Sequence, residues 1–285
     1  MATVTIRRAG FSAGLAGPGR APGETRKARG EIVGWSMGAA RRNVAFLQSV
    51  DPEGLPPHGY ALTLTMGGWP DSADAWNSAR RAFLKRADRL GFPLQHWVVE
   101  STRLGRPHLH LALYGEQSRA DARWLLVLAW LRVCDSRGWT ALARAQTVEP
   151  ITRLNGWLQY VARHGARGVD HYQRAGLPAG WEKTGRLWGH SSGWPTPEPL
   201  VYDLTEAEFH RFRRLAVSVV RARLRAAGLS TTKVQRVASS MRHPDPAVST
   251  RVGVGYWIDR DLCDSLVTLS RGREPVLRYD SPYDT

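Results

Sequence analysis

Leucines occupy positions 109, 111 and 113 of this chain, and His108, His110 and Ala112 fill the positions between and before them. An apolar residue at every second position specifies a β-strand, with a leucine face for a core and an imidazole-bearing face opposite. A second strand-like run, residues 96–100, lies just upstream, with Gly105 between the two, so the pair forms a hairpin or adjacent antiparallel strands. A sheet with a leucine face must bury it against other elements, and the flanking sequence supplies them.

Residues 60–66 alternate as a strand ended by Gly67, Gly68 and Pro70. Ser72 opens a helix with Trp76, Ala79, Phe83, Ala87 and Leu90 at helical spacing, stopped by Gly91 and Pro93. Ser118 with Asp121 predicts a capping box for a helix running to about Ser136 before Gly138. Residues 143–151 predict a further strand, and residues 153–166 a helix. The order β-α-β-β-α-β predicts an α+β fold, an antiparallel sheet with helices packed on one side in a split βαβ, ferredoxin-like arrangement. A short basic amphipathic helix carrying Arg41 and Arg42 precedes it, over residues 36–50. After Pro199, Thr205 and Glu208 form a capping box for a helix with Phe209, Phe212, Ala216, Val219 and Leu224 on one side. Its Arg211, Arg214, Arg221 and Arg225 suit either contact with duplex DNA or a solvated basic face. The tail, residues 248–285, predicts one strand over residues 252–258.

Charge narrows the partners. Lys and Arg number 40 against 25 Asp and Glu, a net charge of +15, which attracts polyanions, nucleic acid first and membrane headgroups second. The longest apolar run in a helical pattern, residues 124–131, is far short of the ~20 residues that span a bilayer. The N-terminus lacks the continuous apolar stretch of a secretory signal. Two cysteines, Cys134 and Cys263, exclude a disulfide scaffold and a Cys-based zinc module. The expected class is a basic, globular, cytoplasmic protein. Residues 1–30 hold Arg7, Arg8, Arg20, Arg26, Lys27 and Arg29, six glycines and one acid, which predicts a disordered basic arm that binds DNA or acts as a spacer. The expected organisation is that arm, a main domain over residues 31–200, and a basic helical extension with a tail over residues 201–285.

Two constellations carry chemistry. In a strand His108 and His110 project together. Glu100, on the neighbouring run, is placed to add a carboxylate, and two nitrogens with one such oxygen suit Mn²⁺ or Zn²⁺, with Mg²⁺ where substrate phosphate oxygens complete the shell. A bare His-x-His also occurs as two surface histidines, but the Gly105-Arg106-Pro107 lead-in and the acid at hairpin distance favour the metal. The second constellation is Tyr160, Arg163, His164 and Arg167, which share one helical face at i, i+3, i+4 and i+7. Cations around a phenol of free pKa ~10 favour its phenolate, as a nucleophile attacking a phosphodiester requires. The alternative is a core tyrosine with its hydroxyl bonded and the arginines solvated.

Together these motifs resemble the HUH endonuclease superfamily, and within it the rolling-circle replication initiators of bacterial plasmids and phages. Leu62-Thr63-Leu64-Thr65 matches the Thr-rich strand, His108-Leu109-His110 with Glu100 the metal motif, and Tyr160-Val161-Ala162-Arg163 the helical Tyr-x-x-Lys. The resemblance covers residues 32–195, including His171-Tyr172-Gln173 and Gly185 to Gly189. It implies an RRM-like palm as the endonuclease domain, a divalent Mg²⁺ or Mn²⁺ on Glu100, His108 and His110, and Tyr160 as the catalytic nucleophile. Arg163 stands where the family has lysine; always protonated, it clamps phosphate but cannot serve as a general acid. His164 stands where two-tyrosine relatives carry a second nucleophile, so a single-tyrosine enzyme is implied, with Tyr172 the only nearby spare. Thr65, Arg41, Arg42, His164, Arg167, Arg186 and Trp188 are the expected DNA-binding residues. Trp69, Trp97, Trp181 and Trp188 offer either base-stacking platforms or core packing. The implied partners are single-stranded or hairpin origin DNA, and a host helicase and polymerase, since no Gly-x-x-x-x-Gly-Lys-Ser/Thr occurs in these residues and no nucleotide cofactor is needed. Transposases and relaxases of the superfamily share this chemistry. A non-catalytic origin-binding protein and a metal hydrolase using water are the other readings.

Overall fold

The computed structural model describes residues 1–15, 30–116, 121–152, 180–241 and 257–272. They fall into two compact units, one of residues 1–15, 45–50 and 196 onward, the other of residues 30–44 and 51–195. The chain begins with a β-hairpin rather than a disordered arm: β1 (Ala2–Arg7) pairs antiparallel with β2 (Gly10–Leu15) across a two-residue turn at Arg8 and Ala9. Ala2, Val4 and Ile6 alternate into a core, so residues 1–15 correct the expectation for residues 1–30. The arginine and glycine content of the segment masked this short period-2 pattern.

Helix α1 (Met37–Ser49) is opened by Ser36, whose hydroxyl accepts from the Ala39 N–H at 3.1 Å. The larger unit then runs β3 (His58–Thr65), α2 (Ala73–Arg89), β4 (Leu94–Ser101), β5 (Pro107–Gly115), α3 (Ala122–Asp135), β6 (Thr147–Pro150) and β7 (Trp188–His190). The β-α-β-β-α-β order is as the periodicities predict. The sheet order is β6-β3-β5-β4-β7 with every neighbouring pair antiparallel, which places β5 at its centre. Five residues join β4 to β5; Gly105 takes φ +78° there, a conformation that favours glycine, and the Thr102 hydroxyl accepts from the Arg106 N–H. Register sets Leu62, Leu111 and Trp97 in one row. The Arg80 guanidinium of α2 lies 3.5 Å over the Trp97 ring, and Trp76 and Phe83 of α2 meet Trp130 of α3 edge to face. Thus α2 and α3 cover the leucine face.

Three local expectations change. The helix predicted from Ser118 starts at Ala122 with Asp121 at its N-cap and no side-chain cap bond, and Ser118 lies outside the described residues. The strand predicted over residues 143–151 is a 3₁₀ turn (Ala143–Ala145) followed by β6. Helices do not lie on one face alone: Asn43 of α1 bonds His96 of β4 on the opposite face, and β4 and β5 are buried along their whole length. The helix predicted over residues 153–166 lies outside the described residues.

The smaller unit is completed by β8 (Leu200–Leu204), which pairs with β1 so that Leu204 stands opposite Ala2 and Leu200 opposite Ile6. The sheet is β2-β1-β8, all antiparallel. Helix α4 (Glu206–Ala226) starts at the reciprocal Thr205–Glu208 capping box that the sequence predicts. Helices α5 (Thr231–Ser240) and α6 (Arg260–Ser270) follow, the latter capped by Asp259. Phe209, Phe212, Ala216 and Val220 of α4 join Leu266 and Val267 of α6 and the β1 residues in one apolar core. Most of the strand predicted over residues 252–258 lies outside the described residues, and α6 was not anticipated. No helix among the described residues is long and apolar enough to cross a membrane.

Candidate metal centre and nucleic-acid interface

The register of β4 and β5 puts Glu100 directly opposite His108, and Val98 opposite His110. With side chains alternating across the pleat, Glu100, His108 and His110 therefore emerge on one face, opposite the leucines. Glu100 is 2% exposed, His110 5% and His108 9%. One ligand atom from each lies within 4.8 Å of the other two, and His110 Nε2 stands 3.6 Å from Glu100 Oε2. The two imidazole centroids are 4.5 Å apart with rings nearly perpendicular.

This donor set fits a divalent cation. A single ion bonds imidazole nitrogen and carboxylate oxygen at about 2.0–2.2 Å, so its donors lie up to roughly 4.4 Å apart. Small rotations of side chains already converging bring these three within that span. A buried carboxylate beside two imidazoles is also an arrangement that a cation stabilises, since a charge removed from water needs a partner of opposite sign. It is the one such group of three found among the described residues.

A residue outside the expected site set completes the geometry. Thr63 on β3 stands directly opposite His110, and its hydroxyl is 3.1 Å from His110 Nδ1. That bond orients the ring so that Nε2 is the nitrogen facing Glu100, the outer-shell role that a hydroxyl or carbonyl plays at a ligating histidine. The sequence marks Thr63 and Thr65 alike as strand threonines; only the β3–β5 register separates them. Thr65, one of the expected DNA contacts, stands opposite His108, but its N–H is taken by Gln146 Oε1 at 2.8 Å and its hydroxyl is 3.4 Å from the Ala145 carbonyl.

Further along the same face, His96 is fully buried with Nε2 2.8 Å from Asn43 Oδ1. Burial, reinforced by nearby His190, pushes its pKa down to about 3, so it is neutral and serves the packing. Trp188 opens β7 opposite Val98, which puts it in the row of Thr63, His110 and Val98, half-buried at the sheet edge. Arg41 and Arg42 are exposed on α1. Arg186 has an exposed side chain and uses its carbonyl to accept from Arg80 Nη1 at 2.8 Å. Among the tryptophans, Trp97 and Trp181 are core residues and Trp69 is exposed, which removes the first two as stacking platforms. Tyr160, Arg163, His164, Arg167 and Tyr172 lie outside the described residues.

The chain is 38% identical over 255 residues to the replication-associated protein of Pseudomonas phage Pf3, an alignment covering 86% of this chain and 89% of that protein. It is 38% identical over 271 residues to a putative replication protein of Xylella fastidiosa strain 9a5c, 92% of this chain and 94% of that protein. A second Xylella protein, a putative replication protein of strain Temecula1, matches at 38% over 266 residues, 90% of this chain and 99% of that protein. No protein-family model matches the chain, and neither does any solved structure.

Proposed function

Since the chain belongs to the family of these phage and Xylella replication proteins, we propose that it starts replication by nicking and rejoining one strand of its replicon's DNA, as HUH rolling-circle initiators do. The observation that carries this reading is the buried set of Glu100, His108 and His110 on the central strands. Those three residues would hold one Mg²⁺ or Mn²⁺ ion, which when bound supplies Lewis acidity to a non-bridging oxygen of the scissile phosphate.

The chain's own groups do the rest. Thr63 holds the His110 ring in its ligating orientation. The Tyr160 oxygen attacks phosphorus in line; a bond forms from tyrosine to the 5′-phosphate as the bond to the 3′-oxygen breaks, and that oxygen takes up a proton to become the 3′-hydroxyl primer. Arg163 and Arg167, always protonated, stabilise charge on the phosphate, with His164 beside them on the predicted helical face. Attack by a 3′-hydroxyl on the phosphotyrosine reverses the step and rejoins the strand, so no nucleotide is consumed. Arg41, Arg42 and Arg186 would hold the phosphates of a single-stranded or hairpin origin, and Thr65 would approach the strand at the His108 end. Trp188 would stack one base, a contact worth about 1–3 kcal/mol. The larger unit would then be the nicking domain, working in the bacterial cytoplasm with a host helicase and polymerase.

The test is incubation of the purified protein with Mn²⁺ and an end-labelled pool of single-stranded oligonucleotides from its own replicon, run on a denaturing gel beside Tyr160→Phe. A protein–DNA band that survives denaturation and vanishes in the variant is the expected result. Cleavage without that band, unchanged in Tyr160→Phe, would mean a water nucleophile and overturn the mechanism.

A further inference from the structure

Helices α4 and α5 are joined by only four residues, Ala227, Gly228, Leu229 and Ser230. Gly228 takes φ +74°, and the Leu229 N–H returns to the Leu224 carbonyl at 3.1 Å, so the first helix stops sharply and the second starts at once. Two helices joined by so short a glycine-bearing turn form the framework on which a second helix is presented to a DNA groove.

The second helix has the surface for that role. Val234, Ala238 and Met241 are buried and Val237 is partly buried against the core, which anchors α5 by one face. Thr231, Thr232, Lys233, Gln235 and Arg236 are exposed, most of them in its first turn and a half. Hydroxyls, an amide and two cations are the groups that contact phosphates and read base edges. Residues 209–241 contain eight Lys and Arg and no Asp or Glu. The arginines of α4 are engaged within the unit in two places: Arg211 donates to the Ser270 carbonyl, and Arg223 to the Trp257 carbonyl and to Asp259. Helix α4 also supplies Phe209, Phe212, Ala216 and Val220 to the core, whereas the first turn and a half of α5 is mostly exposed.

We infer that α5 is a reading helix for double-stranded DNA, a second nucleic-acid site on the smaller unit. A helix about 10–12 Å across matches a major groove about 12 Å wide. A single strand offers no such groove, which favours duplex as the ligand. The inference rests on membership of the replication-protein family for the ligand class and is independent of the nicking chemistry.

The experiment uses the full-length protein and fluorescein-labelled short duplexes tiled across the replicon that encodes it, with base-scrambled duplexes and the matching single strands as controls. Anisotropy should find one duplex bound on the order of a thousandfold or more tighter than its scrambled version. The combined variant Lys233→Ala, Gln235→Ala and Arg236→Ala, all at exposed positions, should lose on the order of tenfold to a hundredfold on that duplex, with a shallower salt dependence. Its far-ultraviolet circular dichroism and its cleavage of single-stranded oligonucleotide should match wild type. Arg214→Ala on α4 separates local reading from bulk charge and should change affinity far less. Wild-type affinity in the combined variant, equal loss on chosen and scrambled duplexes, or an equal effect of Arg214→Ala each overturns the inference. Failure of the wild type to nick single strands sinks the proposed chemistry instead and leaves the duplex measurement standing.

Discussion

Thr63 and His96 show how single residues on one face of a sheet take separate roles. Thr63 touches His110 through Nδ1. Replacing it by valine keeps the shape and removes the hydroxyl, and should weaken Mn²⁺ binding by about 10–100-fold while the fold persists, as titration calorimetry would show. His96, by contrast, is buried neutral. Its folded pKa, about 3, lies below the ordinary value of 6.5, so between those limits the unfolded chain binds the extra proton and stability falls as pH drops. The slope is at most about 1.4 kcal/mol per pH unit within that window. His96→Gln should flatten the loss of stability between pH 6.5 and 4, seen by urea titration; an unchanged slope would place the acid sensitivity in other groups. The histidines were equally visible in the sequence. Their roles separated only with their neighbours, Asn43 on one and Glu100 with Thr63 on the other.

Among elements, the β4–β5 hairpin was the most legible, because both strands and the turn lie within a short stretch and the period-2 pattern is local. From it followed the common face of His108 and His110 and the placement of Glu100. β7 was not legible as a strand: three residues carry too little pattern, and it pairs with the edge of β4 that β5 leaves open. Gly189 makes the pairing possible, since a Cβ there would sit 2.6 Å from the Trp97 ring. Gly189→Ala should therefore cost about 1–3 kcal/mol through overpacking and displace Trp188 from the row it shares with His110. Chemical denaturation and tryptophan fluorescence together would report both effects. Helix α4 was legible at its start, where the Thr205–Glu208 box is local, whereas the anchoring of α5 through Val234 and Ala238 needs a tertiary surface to explain it.

For the whole molecule, the two units predict two separable events. Calorimetry should show two unfolding transitions, with saturating Mn²⁺ raising the one that belongs to the larger unit, by about 2.7 kcal/mol at a hundred times its dissociation constant. Ile6→Ala, in the central strand of the smaller sheet, should lower the other by about 2–5 kcal/mol. A shift of both transitions by either change would mean the units unfold together. The sequence by itself determined what nearest neighbours along the chain can encode: the β-α-β-β-α-β order, the face shared by the two histidines, the cap at Thr205 and the basic charge that attracts polyanions. Tertiary structure alone decided the pairings between distant segments, and the relatives rather than the charge single out nucleic acid among polyanions. Ala2 stands opposite Leu204, and Thr63 opposite His110, with long stretches of chain between the partners. Closing such loops costs entropy that no local pattern records, and only burial of the joined faces repays it. For that reason the amino-terminal hairpin read as an arm until β8 and the α4 core gave its alternating residues somewhere to go.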